Sequence, residues 1–303
     1  MANSNGKSVS LFELARKYQS RDDCLDLLER LRWPDGPVCP RCGSEQSYEI
    51  KSRWIHECAN CRYQFSATTG TIMHRSRLPL VKWVLAAALI ANARKGVSAC
   101  QVARDLHVTY KTAWYLCHRL CLAMREHEWL ERFNGVCEVD ECYVGGKPRK
   151  AGPPSKRGRG TQKTPVVGVR ERGGKVRMRV VANVTQKTLG SVVREYIQTD
   201  AEMVIADQLS GYDALAAEFT MERINHAREY VRGNIHTNGI ESIWAIVKRQ
   251  VYGTHHKISK QYLPLYLAEI SFRFNNRKNP DLFKVIIENG LLTDRAVVPE
   301  SAG

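Results

Sequence analysis

Two Cys-x-x-Cys pairs, Cys39-Pro-Arg-Cys42 and Cys58-Ala-Asn-Cys61, stand 15 residues apart and constrain this chain more than any other feature. Each pair makes a tight knuckle, and four thiolates fill the closed tetrahedral sphere that structural Zn²⁺ takes, at about 2.3 Å per Zn–S bond. The spacing is that of a zinc ribbon. With every position filled by sulfur, such an ion holds structure and does not catalyse. A redox dithiol needs one pair in a thioredoxin-like setting, not two matched pairs. The other six cysteines, Cys24, Cys100, Cys117, Cys121, Cys137 and Cys142, lack ligand spacing and read as small packing residues.

Helical patterns flank the ribbon. Residues 8–32 predict two short amphipathic helices, with Ser20 or Asp22 as caps. From Leu80 to Trp129 the pattern is again helical, interrupted at Lys95-Gly96-Val97-Ser98. Within it, residues 96–120 read as helix, turn, helix: Ser98 caps the first helix, Val102, Ala103 and Leu106 face inward, His107-Val108 turn, and Thr109 opens the second. Tyr110, Lys111 and Thr112 then occupy the place where a recognition helix meets DNA. A plain helical hairpin has the same apolar spacing, so charge must arbitrate.

The chain carries 46 Lys+Arg against 31 Asp+Glu, a net charge of +15, which favours a polyanionic partner and nucleic acid first. Between Lys147 and Lys187 there are 13 basic residues and one acid, Glu171, so this stretch alone carries +12. Lys147, Arg149, Lys150, Lys156, Arg157 and Arg159 crowd its Gly/Pro-rich loop and are candidate DNA contacts, with the strand pair that follows as a further grip. An anionic membrane is the weaker alternative. The longest apolar run, Trp83 to Ala91, is far short of the ~20 residues of a membrane span. The N-terminal MANSNGKSVS lacks a signal-peptide pattern, so a cytoplasmic protein is expected.

After Asn134 the texture changes to strands, at 136–144, 165–169, 175–184 and 202–208, with helices near 188–198, 211–219, 238–251 and 260–275. That order predicts an α/β unit with a mixed sheet and flanking helices. Acids placed on its strands ask for a purpose. Asp140 lies mid-strand, with Glu138 on the same face and Glu141 on the other; Asp207 ends another strand, and Glu241 opens a helix. These three acids could converge at one sheet edge and hold two Mg²⁺ ions ~3.5–4 Å apart, the arrangement suited to phosphoryl transfer on DNA. Lys248, two turns beyond Glu241, would hold the phosphate beside them. Glu138 and Glu141 are alternatives by proximity. His236, His255 and His256 read as loop or DNA-contact residues, and Ile240 and Trp244 as the helix's core face.

Taken together, CPRC…CANC, the helix-turn-helix, VDECYVGGK, IADQLSGY, HTNGIESIWAIVKR, GTHHKIS and LAEISFRFNNR resemble the zinc-ribbon insertion-sequence transposases of the DDE type. The resemblance spans about residues 20–280. It implies an RNase H-like catalytic domain with Asp140, Asp207 and Glu241 as the metal-binding acids and Lys248 as the basic residue two turns on. Some relatives carry asparagine as the third ligand, which leaves Asn238 beside Glu241; an amide oxygen ligates Mg²⁺ without contributing charge. The domains expected are N-terminal helices (1–36), zinc ribbon (37–70), helix-turn-helix (71–132), catalytic domain (133–290) and tail (291–303). The implied activity is Mg²⁺-dependent cleavage and strand transfer at transposon ends, Mn²⁺ being a substitute. The partners are end and target DNA, and the protein works on the bacterial nucleoid as a homodimer or larger assembly, with no membrane. The rivals are a DNA-binding regulator with a silent catalytic domain and a nuclease or resolvase that only hydrolyses.

Overall fold

A computed structural model describes residues 9–125, 131–145, 161, 163–207, 210–224 and 231–293. The chain divides into two compact units, Met1–Arg125 with Lys278–Gly303, and Glu126–Arg277.

In the first unit, α1 (Leu11–Lys17) and α2 (Arg21–Arg32) precede the ribbon. Ser20 caps α2 with a reciprocal box: its hydroxyl accepts from the Asp23 N–H while the Asp23 carboxylate accepts from the Ser20 N–H. The ribbon is a three-stranded antiparallel meander, β1 (Ser47–Ile50), β2 (Ile55–Cys58) and β3 (Gln64–Phe65). Helices α3 (Leu80–Asn92), α4 (Ala99–Asp105) and α5 (Tyr110–Ala123) follow. Ser98 and Thr109 cap α4 and α5 through the N–H groups of Gln101 and Thr112, and His107 turns the chain between them in the left-handed region, at φ 47°. From Ala113 onward α5 is largely buried, whereas Tyr110 and Lys111 are exposed.

The second unit is a five-stranded mixed sheet in the order β6-β5-β4-β7-β8. Strand β4 (Val136–Val144) pairs antiparallel with β5 (Thr164–Glu171), and β5 likewise with β6 (Val176–Val180). After α6 (Gln186–Tyr196), β7 (Met203–Asp207) lies parallel to β4, and β8 (Met221–Ile224) parallel to β7. Helices α7 (Asn238–Arg249) and α8 (Leu263–Asn275) complete the unit. Both sheet faces are covered, so the alternation of side chains sorts two cores. Cys137, Val139, Val167, Val169, Val204 and Ala206 pack against α6. Cys142, Val144, Val166 and Val176 pack against Ile240, Ile243, Trp244 and Val247 of α7.

Two expectations change. The segment expected as helix at 211–219 is a 3₁₀ stretch over Ser210–Ala217, and the strand expected to reach 184 ends at Val180. Beyond Lys278 the chain forms α9 (Leu282–Leu292), which packs on α2, α3 and α5 of the first unit. Among the described residues no helix is long and apolar enough to cross a membrane.

Candidate metal centres and nucleic-acid surface

The four ribbon cysteines come together with every Sγ within 4.8 Å of the others. The edges Cys39–Cys61 and Cys42–Cys58 measure 3.7 and 3.5 Å. A tetrahedron of sulfurs around zinc at ~2.3 Å has edges of about 3.8 Å, so the donor set fits the ion. Backbone N–H groups of Cys61 and Asn60 point at Cys58 and pull its thiol down, while the neighbouring cysteine sulfurs push the Cys42 thiol up, the mutual effect of sulfurs gathered at one point. The ribbon has little apolar core of its own: Cys39, Cys58 and Phe65 are buried, with Trp33, Cys61 and Tyr63 against them. His56 ties it to α2 through a 3.1 Å contact with Glu29, and Arg32 donates to the carbonyls of Ala67 and Thr69 at 2.8 and 2.7 Å.

The second cluster is built by strand register. Val139 and Ala206 sit opposite one another on parallel β4 and β7, so the next residues along, Asp140 and Asp207, are neighbours on one face, about 5 Å apart across the strand spacing. Because Val139 and Ala206 face α6, that face is the one α7 covers. Asp140 Oδ2 accepts from Trp244 Nε1 on α7 at 2.9 Å, and Oδ1 from the Glu141 N–H at 2.8 Å. Burial, then the Glu141 carboxylate and more weakly Asp207, push the Asp140 carboxyl up to about 7, against the two hydrogen bonds. Glu241 lies one turn before Trp244 on the exposed flank of α7, and its Oε1 accepts from the Thr237 hydroxyl at 3.3 Å. Asn238, also exposed, is the first residue of that helix. Lys248 and Asp140 both lie near Cys142, whose thiol burial pushes up to about 11, Lys248 opposing the rise and Asp140 adding to it. Asp140, Asp207 and Glu241 do not form a ligand cluster as tight as the cysteines, which are the one such group among the described residues.

Glu138 shares the Asp140 face but serves the fold. It is 1% exposed, accepting from Arg172 Nε at 2.9 Å and from the Ile240 N–H at 2.8 Å, with His236 Nδ1 at 3.7 Å. It therefore pins the first turn of α7 to β4. Gly239 makes this possible, since a Cβ there would lie 2.4 Å from Glu138 Oε2. Glu138→Ala should cost about 1–3 kcal/mol, chiefly by leaving the buried Ile240 N–H without its acceptor, while the partly exposed Arg172 keeps the Asn234 and His236 carbonyls. Urea unfolding at pH 7 checks this, and Glu138→Gln, which keeps one acceptor oxygen, should cost less.

Lys147, Arg149, Lys150, Lys156, Arg157 and Arg159 lie outside the described residues. Four strand-pair arginines are committed within their unit. Arg170 stacks 5.3 Å from the Phe274 ring, Arg172 holds Glu138, Arg177 stacks 4.6 Å from Phe133, and Arg179 pairs with Glu195. The charge count could not distinguish such arginines from available ones. Nor did the spacing show the Trp244 bond to Asp140, although a glycine mid-strand at Gly168 marks the close approach that permits it.

Two family models and several known proteins are similar to this chain. The model of the ISXO2-like transposase domain matches residues 132–275, and that of the transposase zinc-ribbon domain matches residues 19–64. An uncharacterized protein in transposable element ISH50 of Halobacterium salinarum is 30% identical over 300 residues, covering 91% of this chain and 99% of its own length. An uncharacterized transposase-like protein of Haemophilus influenzae is 33% identical over 117 residues, 37% of this chain and 94% of that one. Among solved structures, the Mos1 strand transfer complex aligns at a TM-score of 0.27 and 10% identity over 69% of this chain and 78% of that chain, too loosely to place any residue. With the ribbon, the second domain and a full-length relative in agreement, the chain belongs to the ISXO2-like, IS1595-type family of insertion-sequence transposases.

Proposed function

We propose that the protein cuts and joins DNA at the ends of its insertion sequence, using Asp140, Asp207 and Glu241 in an RNase H-like domain. The observation that carries this reading is the Asp140–Asp207 pair, side by side on parallel strands under the helix that bears Glu241 and Lys248. The mixed sheet with helices on both faces supports the RNase H-like assignment. Burial, with the Glu141 and Asp207 carboxylates beside it, raises the Asp140 carboxyl, and a divalent ion held there would favour its ionised form. Mg²⁺ bound there would stabilise charge on the attacking and leaving oxygens.

The chain's own residues then have separate tasks. Asp140 and Asp207 hold the metal from the strands and Glu241 from α7, with Asn238 a helper through its amide oxygen. Lys248 steadies the DNA phosphate. Water attacks the phosphodiester, the bond to the 3′ oxygen breaks, and the freed 3′-hydroxyl attacks target DNA in turn, one bond forming for each that breaks. The ribbon and the α4–α5 pair, read as a helix-turn-helix, bind the transposon ends. Two ends must be held together, which calls for a dimer or larger assembly. Within the proposed organisation the stretch 1–36 leads into the ribbon (37–70), the end-binding helices (71–132) and the catalytic domain, expected over 133–290 with a tail at 291–303, although α9 (Leu282–Leu292) groups with the first unit.

The test is to incubate the protein and Mg²⁺ with a labelled fragment carrying the inverted ends that flank its gene, and to map products. Nicks at the ends followed by joined products support transposition. Nicks without joining point to a hydrolytic nuclease, and end binding without nicks to a regulator; either overturns the proposal. For the exposed first turn of α5, Lys111→Ala should weaken end binding and reduce the slope of log affinity against log salt by about 1, as loss of one phosphate contact does. Binding titrations at several salt concentrations measure it; an unchanged slope removes Lys111 from the interface.

A further inference from the structure

Gly168 sits directly opposite Asp140 in the β4–β5 pairing. A Cβ at Gly168 would lie 2.7 Å from Cη2 and 2.8 Å from Cζ2 of Trp244, closer than real side chains approach. The indole therefore rests against bare strand backbone, 4% exposed, and from there its N–H reaches Asp140 Oδ2 at 2.9 Å. A side chain at 168 would lift the ring and break that reach. Phenylalanine or leucine at 244 would fill the same space without a donor. Packing alone thus does not account for the pair.

Carboxylates that bind metal are commonly oriented by a donor one shell out, and removing that donor typically costs 10–100-fold in affinity or activity. We propose that Gly168 and Trp244 form a positioning pair that fixes the Asp140 carboxylate for divalent-cation binding. The inference rests on the reading of Asp140 as a metal-binding acid. Trp244 stands one turn after Glu241 and one before Lys248, so the same bond also sets the helix carrying both against the strand carrying the first acid. Each carboxylate oxygen keeps a second lone pair for the cation.

The chain has six tryptophans, so ¹⁵N-indole labelling of the whole protein gives a small set of N–H signals. One of them, absent in Trp244→Phe, should shift saturably as Mg²⁺ is added, and in Asp140→Asn it should move and stop responding. Mn²⁺ binding followed by electron paramagnetic resonance, without DNA, should weaken about tenfold in Trp244→Phe and further in Asp140→Asn. Folded Trp244→Phe with wild-type Mn²⁺ affinity, beside a weakened Asp140→Asn, overturns the positioning role alone. Wild-type affinity in Asp140→Asn overturns the metal reading and the inference with it. Should Trp244→Phe fail to fold, the wild-type titration decides: no indole signal responding to Mg²⁺ overturns the proposal.

Discussion

Asp140→Asn is expected to abolish Mg²⁺-dependent cleavage, by about three orders of magnitude, the scale of losing one preorganised electrostatic group, while stabilising the metal-free protein at pH 8. The second half follows from linkage. The Asp140 carboxyl stands at about 7 in the folded state against an ordinary value of 3.8. Between those pH values the folded chain keeps a proton that the unfolded chain has released, so stability falls as pH rises through that window and stays low above it. At about 1.4 kcal/mol per pKa unit the effect amounts to a few kcal/mol. Asparagine carries no charge and escapes it. Thermal unfolding without metal should therefore show the variant above wild type at pH 8 and level with it below pH 4. Added Mg²⁺ should raise the wild-type midpoint, by about 2.7 kcal/mol of stability at a hundred times its dissociation constant, and leave the variant unmoved. A variant that still cleaves, or one less stable than wild type at pH 8, would refute the role assigned to this residue.

The second large effect is at the ribbon. Cys58→Ser removes the thiol most disposed to ionise and one of four sulfurs. Structural zinc contributes about 10–16 kcal/mol in small finger peptides at pH 7, and a meander whose buried core is Cys39, Cys58 and Phe65 has too little apolar burial to fold without it. Wild type should carry about one zinc per chain and the variant almost none, by elemental analysis. End binding should fall with the metal, and strong chelators should reproduce the loss. Stoichiometric zinc in Cys58→Ser with intact end binding would mean that the ion sits elsewhere.

What the sequence made legible follows from the range over which each signal acts. Capping is decided within three residues, and Ser20, Ser98 and Thr109 could be read directly. Cysteine spacing is equally local. Asp140 and Asp207 stood out because acids on otherwise apolar strands are conspicuous, and the register then makes them neighbours. Glu138 was opaque for the opposite reason. Its partners, Arg172 and the Ile240 N–H, lie 34 and 102 residues away, so alternation marked its face without revealing that the carboxylate was already engaged. Strand β8, four residues long with Glu222 and Arg223 at its centre, carries no apolar period. Helix α9 has one, but its partners are the helices of the chain's first half.

That last contact bears on how the protein is made. The chain leaves its first compact unit at Arg125 and returns to it at Lys278, and the Ile72 N–H bonds to the Gly290 carbonyl across this gap. A ribosome must therefore finish the whole second unit before it delivers the helix that seals the first. A message cut short, or a frame lost anywhere before codon 282, yields a first unit without α9 and with its packing incomplete. Folding of the first unit is thereby tied to completion of the second, and its last helix is the last element to arrive.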